Sequence, residues 1–148
     1  MTSSLPDEGR PRTESAARRA TAAIGAALTI AAGLIVHARV HGSIGDIAGD
    51  ALYAVLIYLL LVLFLPRVSQ RIVAALALVI CFGVEFLQLT DIPSTVNRKF
   101  PPAALALGQG FDPRDLLVYF AALVVVLVLD VGAGRSMGHP SQRNRLQR

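Results

Sequence analysis

Four long apolar runs dominate this 148-residue chain and limit what it can fold into. They cover residues 20–36, 47–65, 72–89 and 116–131. Each is close to the ~17–25 apolar residues that an α-helix needs to cross a bilayer. Charged residues make up only 16% of the chain, against about 25% in soluble domains. The sequence therefore predicts an all-α polytopic membrane protein with four transmembrane helices.

The two ends of the chain differ from this apolar part. Residues 1–19 and 132–148 mix Ser, Pro, Gly, Gln and Arg without apolar periodicity, which is typical of disordered segments. We therefore expect two disordered tails around a membrane domain at 20–131. The first run could be a signal peptide, but the HARVHGS that follows it offers no small-x-small cleavage site, which favours an uncleaved helix.

Small residues recur every fourth position in the first run, at Gly25, Thr29 and Gly33. Such a stripe lets a second helix approach closely. Pro66 ends the second run, and the short PRVSQR link predicts a tight turn between antiparallel second and third helices. The longer loop at 91–110 contains FPPAALALG. We expect this segment to lie in the membrane interface, or to be re-entrant, as a lid over polar residues.

Most of the 14 basic residues lie in the two tails and in the second link. The positive-inside rule then places both termini in the cytoplasm of a multi-pass protein of the cell inner (cytoplasmic) membrane. The net charge of +4 does not indicate nucleic-acid binding, because no groove-reading motif or aromatic-basic pattern accompanies it. The lipid bilayer, with its anionic cytoplasmic leaflet, is the expected partner.

Several polar residues gather at the ends of the runs that this orientation places outside. The candidate pocket residues are Asp50, Glu85, Gln88, Arg98, Asp112 and Asp115. A charged carboxylate near the bilayer centre costs ~2.5–3.5 kcal/mol on insertion scales. It is therefore retained where a partner or a wet cavity stabilises it. One alternative is purely structural: Glu85 bonds to Arg98 or to a hydroxyl and locks the bundle.

Helix capping is a second explanation for some of these acids. In FDPRD, Asp112 can cap a helix, Pro113 fits its first position and Asp115 its third. Asp46 can likewise cap the second helix, with Asp50 complementing the helix dipole. Arg98 is the expected partner of the second acid. Asp130 is expected to pair with Arg135 or to mark the end of the membrane segment.

Metal and cofactor chemistry have little support in the sequence. His37 and His41 are weak candidates for a mixed nitrogen and oxygen metal site, and interfacial histidines explain them better. The chain has no phosphate-binding glycine loop, nucleophile elbow, zincin spacing or CxxC pair. We therefore expect no cofactor. The one cysteine, Cys81, excludes a disulfide within the chain.

A family resemblance rests on four pieces in a fixed order: GDIAGDALYAVLIYLLL, EFLQL, VNRKF and LALGQGFDPRDLLVYFAAL. Over residues 20–131 the chain resembles a family of small bacterial membrane proteins, domain of unknown function 2809 (DUF2809), and more remotely the VanZ-like proteins. The resemblance implies a four-helix membrane bundle built around the six candidate residues. VanZ-like proteins are associated with resistance to teicoplanin-type glycopeptide antibiotics.

The function expected from these residues is recognition without catalysis. An outward polar pocket would bind a small cationic or polyhydroxylated group, such as that of an envelope lipid. One alternative is a membrane enzyme that uses Glu85 or Asp115 as general acid or base. Another is a structural membrane subunit or a proton-coupled carrier, and a carrier with four spans would need to be a homo-oligomer.

Overall fold

Each of the four apolar runs lies in one long helix of the computed structural model, which describes residues 10–108 and 110–137. These helices are α1 (Arg10–Arg39), α2 (Ser43–Phe64), α3 (Gln70–Leu87) and α6 (Pro113–Met137). All four are long and apolar enough to cross a membrane, and the described residues contain no strand. The prediction of an all-α, four-span membrane protein is therefore confirmed.

The segment between α3 and α6 is itself helical. It contains α4 (Ile92–Lys99), a 3-10 turn at Pro101–Ala103 and the short α5 (Ala104–Leu107), which contact one another. Two prolines begin the 3-10 turn, where their missing N–H groups need no helical partner. Its placement in the membrane interface stays a prediction.

The predicted tail boundaries need correction at both ends. Helix α1 begins at Arg10, inside the segment 1–19 that was expected to be disordered, and α6 continues past residue 131 to Met137. Alanine and arginine are good helix formers, so a helix anchored in the bundle extends beyond its apolar run. The rest of both predicted tails, 1–9 and 138–148, lies outside the described residues.

Helices α2, α3 and α6 pack against one another, whereas α1 packs principally against α2. Small side chains make the α1 contact: Ala22 and Ala26 are buried, and a methyl group on Gly25 would lie 3.3 Å from Leu59 Cδ1. The expected close approach at Gly25 is therefore present. Gly33 has nothing within 4 Å of such a methyl group, so the contact does not continue along the predicted stripe.

Alanine, valine and leucine fill the middle of the bundle. Ala54, Val73, Ala77 and Leu123 are all at most 4% exposed and belong to one core. We call these four residues the apolar layer. Large apolar side chains on the outside remain uncovered, with Leu28 66%, Val79 68% and Leu117 72% exposed. A helix bundle exposes such surface where lipid chains, rather than protein, surround it.

Candidate functional site

Glu85, in the last turn of α3, is the one charged residue that is fully buried among the described residues, with 0% exposure. Its Oε1 atom accepts a hydrogen bond from the backbone N–H of Asp112 at 2.6 Å. Its Oε2 atom is buried and has no hydrogen-bond partner among the described residues. The side chain thus connects α3 to the start of α6, while Oε2 makes no hydrogen bond with the described residues and the Tyr119 hydroxyl interacts with the carboxylate.

Three further carboxylates surround Glu85. Asp50 of α2 and Asp115 in the first turn of α6 are direct neighbours, and each also interacts electrostatically with Glu85. Asp112 interacts with Glu85 in the same way. The structure therefore brings together four of the six predicted residues. We call Asp50, Glu85, Asp112 and Asp115 the carboxyl cluster.

The capping predictions have different outcomes. Asp112 does cap α6, because its Oδ1 accepts the backbone N–H of Arg114 at 2.9 Å. Asp46 does not cap α2: that helix begins at Ser43 and its N-cap residue is Gly42, which places Asp46 inside the first turn. The serine and glycine before Asp46 are compatible with helix, so α2 begins earlier than its apolar run.

Arg114, rather than Arg98, is the cation beside the carboxyl cluster. Its Nη2 lies 3.5 Å from Asp112 Oδ2 and its Nε lies 3.7 Å from Asp115 Oδ1. Arg98 is exposed on α4 and donates to Thr95 Oγ1 at 3.3 Å. The expected pairing of Arg98 with the acids is therefore wrong, because α4 holds that side chain on its own surface. The position of Arg114 between two aspartates in FDPRD was the signal for the correct partner.

Two tyrosines and a cysteine extend the carboxyl cluster toward the bundle interior. Tyr119, 4% exposed, lies one turn after Asp115 on α6, and its hydroxyl interacts with the Glu85 carboxylate. The Tyr53 ring lies 6.2 Å from the Tyr119 ring at an interplanar angle of 53°. Cys81 is fully buried one turn before Glu85. Tyr119 was not among the predicted site residues, although its four-residue spacing from Asp115 placed it on the same helix face.

Gln88, the residue after α3, lies beside the α3–α6 segment. Gly108, which ends α5, has a φ of 68° and a ψ of −171°, a conformation that is essentially restricted to glycine. A methyl group on Gly108 would overlap the side-chain amide of Gln88. Asn97 of α4 donates from Nδ2 to the Gly108 carbonyl oxygen at 2.8 Å. The Asn97 bond therefore ties α4 to the end of α5, and Gly108 packs closely against Gln88.

A second polar cluster lies at the opposite end of the bundle and consists of Arg18, Tyr58 and Asp130. We call it the Asp130 cluster. The buried Tyr58 hydroxyl donates to Asp130 Oδ2 at 2.5 Å, and Arg18 Nη2 lies 3.6 Å from the same oxygen. The expected pairing of Asp130 with Arg135 is not tested, since the Arg135 side chain lies outside the described residues. Sequence separation hid the observed partners, because they lie on other helices.

Arg18 also binds the turn between α2 and α3. Its Nη1 donates to the carbonyl oxygens of Pro66 at 2.8 Å and Val68 at 3.1 Å. One side chain therefore joins α1, this turn and α6. The turn itself is the tight connection that was predicted, since only residues 65–69 separate α2 from α3.

Metal ligation finds no support in the described residues. His37 and His41 are both exposed near the end of α1. No group of three or more His, Cys, Asp or Glu side chains in residues 10–108 and 110–137 is arranged to hold a metal ion. A shallow surface depression of about 260 Å³ is lined by Asp91, Ile92, Thr95 and Val96. It lies on α4 and includes no member of the carboxyl cluster.

Comparison with known proteins gives one match. A family model described as a protein of unknown function, DUF2809, matches residues 40–122. This range contains the whole carboxyl cluster, Tyr53 and Tyr119, and excludes Arg18 and Asp130. No curated protein and no solved structure matches the chain. The more remote likeness to VanZ-like proteins is not borne out.

Proposed function

Because the chain belongs to the DUF2809 family, whose function is unknown, we propose a role from its own polar groups: the carboxyl cluster binds an ammonium-bearing group of the cell envelope. The group would be carried by an envelope lipid or by a small polar molecule. The protein would act as a binding protein of the bacterial inner membrane, with the cluster facing outward and both termini in the cytoplasm.

The observation that carries this proposal is the free Oε2 atom of the fully buried Glu85. A buried carboxylate is costly unless hydrogen-bond donors or positive charge compensate it. An ammonium group supplies both at once, through three N–H donors and a full charge. Glu85 would therefore be the residue that contacts the ligand.

The charge balance around Glu85 favours a cation over a neutral or anionic group. Four carboxyl groups form the cluster, and the adjacent Asp50 and Asp115 hydrogen-bond to each other, which requires one shared proton. The remaining negative charges still exceed the one cation that pairs with the cluster among the described residues, Arg114. A polyhydroxylated neutral group would supply donors but leave the excess negative charge unchanged. An anionic group would increase the repulsion.

The other predicted pocket residues take indirect roles in this proposal. Asp50 and Asp115 contribute negative charge, and Tyr119 adds a hydroxyl beside Glu85. Gln88 packs against Gly108, at the end of the segment that precedes α6, and is assigned no contact with the ligand. Arg98 is exposed on α4 and makes no contact with the carboxyl cluster.

Thermal unfolding of the purified protein in a neutral detergent tests the proposal. The probes are octylammonium, octyl glucoside and octanoate, which share a chain and differ in the head group. We expect octylammonium to raise the unfolding midpoint of wild type and to leave Glu85→Gln unchanged. Asp91→Asn is the matched control, because Asp91 is exposed and outside the cluster, and should respond like wild type.

Three results would contradict ammonium binding. Equal shifts in Glu85→Gln and Asp91→Asn would place octylammonium elsewhere on the protein. If octyl glucoside raises the unfolding midpoint and octylammonium does not, the ligand carries a polyhydroxylated group instead of a cation. Absence of any octylammonium shift in wild type would also reject the proposal.

General acid-base catalysis is a second candidate function, favoured by the same buried carboxylate beside a tyrosine hydroxyl. It predicts turnover of an added envelope lipid by wild type that Glu85→Gln removes. A proton-coupled carrier has less support. No observation beyond the buried carboxyl groups favours it.

A further inference from the structure

Three other arginines lie near Arg18, at the end of the bundle opposite the carboxyl cluster. Its hydrogen bonds to the carbonyl oxygens of Pro66 and Val68 place the start of α1 beside the α2–α3 turn. Arg19 follows Arg18 in the chain, Arg67 lies within that turn, and Arg71 lies in the first turn of α3. We call Arg19, Arg67 and Arg71 the arginine group.

The arginine group carries positive charge that no other described residue neutralises. All three residues are exposed, and none makes a hydrogen bond or an ion pair with another described residue. Asp130 is the one acidic residue with a described side chain at this end, and Tyr58 and Arg18 already engage it. Three guanidinium groups are therefore available to a partner outside the chain.

The chemistry and position of these groups fit the phosphate of a lipid head group. A guanidinium presents paired N–H donors that match phosphate oxygens in a bidentate arrangement. The arginine group lies at the ends of helices that are apolar enough to span a membrane, which is the depth of lipid phosphates. We propose that Arg19, Arg67 and Arg71 together bind the phosphate groups of anionic lipids at this end of the bundle.

The acidic character of the other end makes the proposed binding one-sided. The carboxyl cluster and the exposed Asp46 and Asp91 lie there, and they would repel a phosphate. Anionic lipid should therefore collect at the end that carries the arginine group. The arginine group shares no residue with the proposed ammonium site, so the two proposals are tested separately.

Thermal unfolding of the full-length protein in a neutral detergent, with added lipid, tests the inference. The probes are phosphatidylglycerol, phosphatidylcholine and inorganic phosphate. The test variant is Arg67→Gln/Arg71→Gln, and a second variant adds Arg19→Gln. The matched control is Arg39→Gln/Lys99→Gln, which removes two exposed cations from the opposite end.

We expect phosphatidylglycerol to raise the midpoint of wild type and of the control by several degrees more than phosphatidylcholine does. The double variant should lose at least half of that difference and the triple variant most of it. High salt should reduce the wild-type difference, as for any phosphate contact at a surface. Inorganic phosphate at the same concentration should produce no comparable shift.

Three outcomes would overturn the inference. Equal responses of the test and control variants would show that the arginine group has no special role. If both lipids raise the unfolding midpoint of wild type equally, binding does not require an anionic head group. A full shift with inorganic phosphate would assign the arginines to free phosphate instead of lipid. If the triple variant does not fold, the double variant alone decides, because it retains Arg19.

Discussion

The carboxylate of Glu85 and the backbone N–H of Asp112 join the end of α3 to the start of α6 through a hydrogen bond of 2.6 Å. This bond crosses the whole α3–α6 segment and fixes the capping residue of α6 relative to α3. The carboxylate that is proposed to bind a ligand is thus also a structural acceptor. Substitutions can separate these two roles.

Glu85→Gln should be more stable than Glu85→Ala by about 1–3 kcal/mol. Glutamine keeps an oxygen that can accept the Asp112 N–H, whereas alanine leaves that donor without an acceptor. Denaturant unfolding of both variants in the same detergent measures the difference. Equal stabilities would mean that the hydrogen bond contributes nothing to folding.

Gly108→Ala should destabilise the protein by about 1–3 kcal/mol, because the φ of 68° with a ψ of −171° is unfavourable for any other residue. The added methyl group would also overlap the Gln88 amide. Gly83→Ala in α3 is the control, since its methyl group would meet nothing within 4 Å and alanine favours helix. A control less stable than Gly108→Ala would contradict this explanation.

Tyr58→Phe should lower the stability by about 1–3 kcal/mol, because it removes a hydrogen bond to a charged acceptor, Asp130. A double-mutant cycle with Asp130→Asn should show non-additive effects, since both changes remove the same contact. Chemical denaturation of the four proteins gives the coupling. Strict additivity would show that the phenol and the carboxylate do not interact in solution.

Arg18→Gln should be clearly less stable than wild type, by about 1–3 kcal/mol, because Arg18 donates to two backbone carbonyls and lies 3.6 Å from Asp130 Oδ2. Arg19→Gln is the neighbouring control and should leave the unfolding midpoint unchanged in lipid-free detergent, since Arg19 is exposed and has no partner among the described residues. Similar losses in both variants would point to general charge instead of specific contacts.

The proposed orientation predicts opposite labelling of two exposed serines. Ser94 lies on α4 and Ser69 in the α2–α3 turn. With the carboxyl cluster outside, Ser94→Cys should react with a membrane-impermeant maleimide in intact cells, and Ser69→Cys only after lysis. The native Cys81 is fully buried and provides the unlabelled background. The reverse pattern would show that the carboxyl cluster faces the cytoplasm, opposite to the proposed orientation.

Much of the fold followed from the sequence because its signals are local. Apolar run lengths gave the four spans, and Pro66 with its short link gave the α2–α3 turn. Helix ends were less predictable: α1 begins at Arg10 because helix formation continues past the residues that lipid requires to be apolar.

The sequence predicted how far along their helices the site residues lie, but not which side chains contact one another. The positions of Asp50, Glu85 and Asp115 along their helices placed them at one end of the bundle. Periodicity does not give the rotation of each helix about its axis. The sequence therefore indicates Arg98 as the partner of the acids, whereas Arg114 makes the ion pairs with Asp112 and Asp115. The partners of Asp130 were hidden for the same reason, because Tyr58 and Arg18 come from other helices.

The contacts of Arg18 also constrain the order in which the protein is assembled. Asp130 lies on α6, the last of the four described spans, whereas Arg18 lies on α1, which is synthesised before it. The bond between them forms only after all four spans have been inserted. Closure of this end of the bundle therefore waits for α6, and before α6 is made the first helix has α2 and the carbonyl oxygens of Pro66 and Val68 as its contacts.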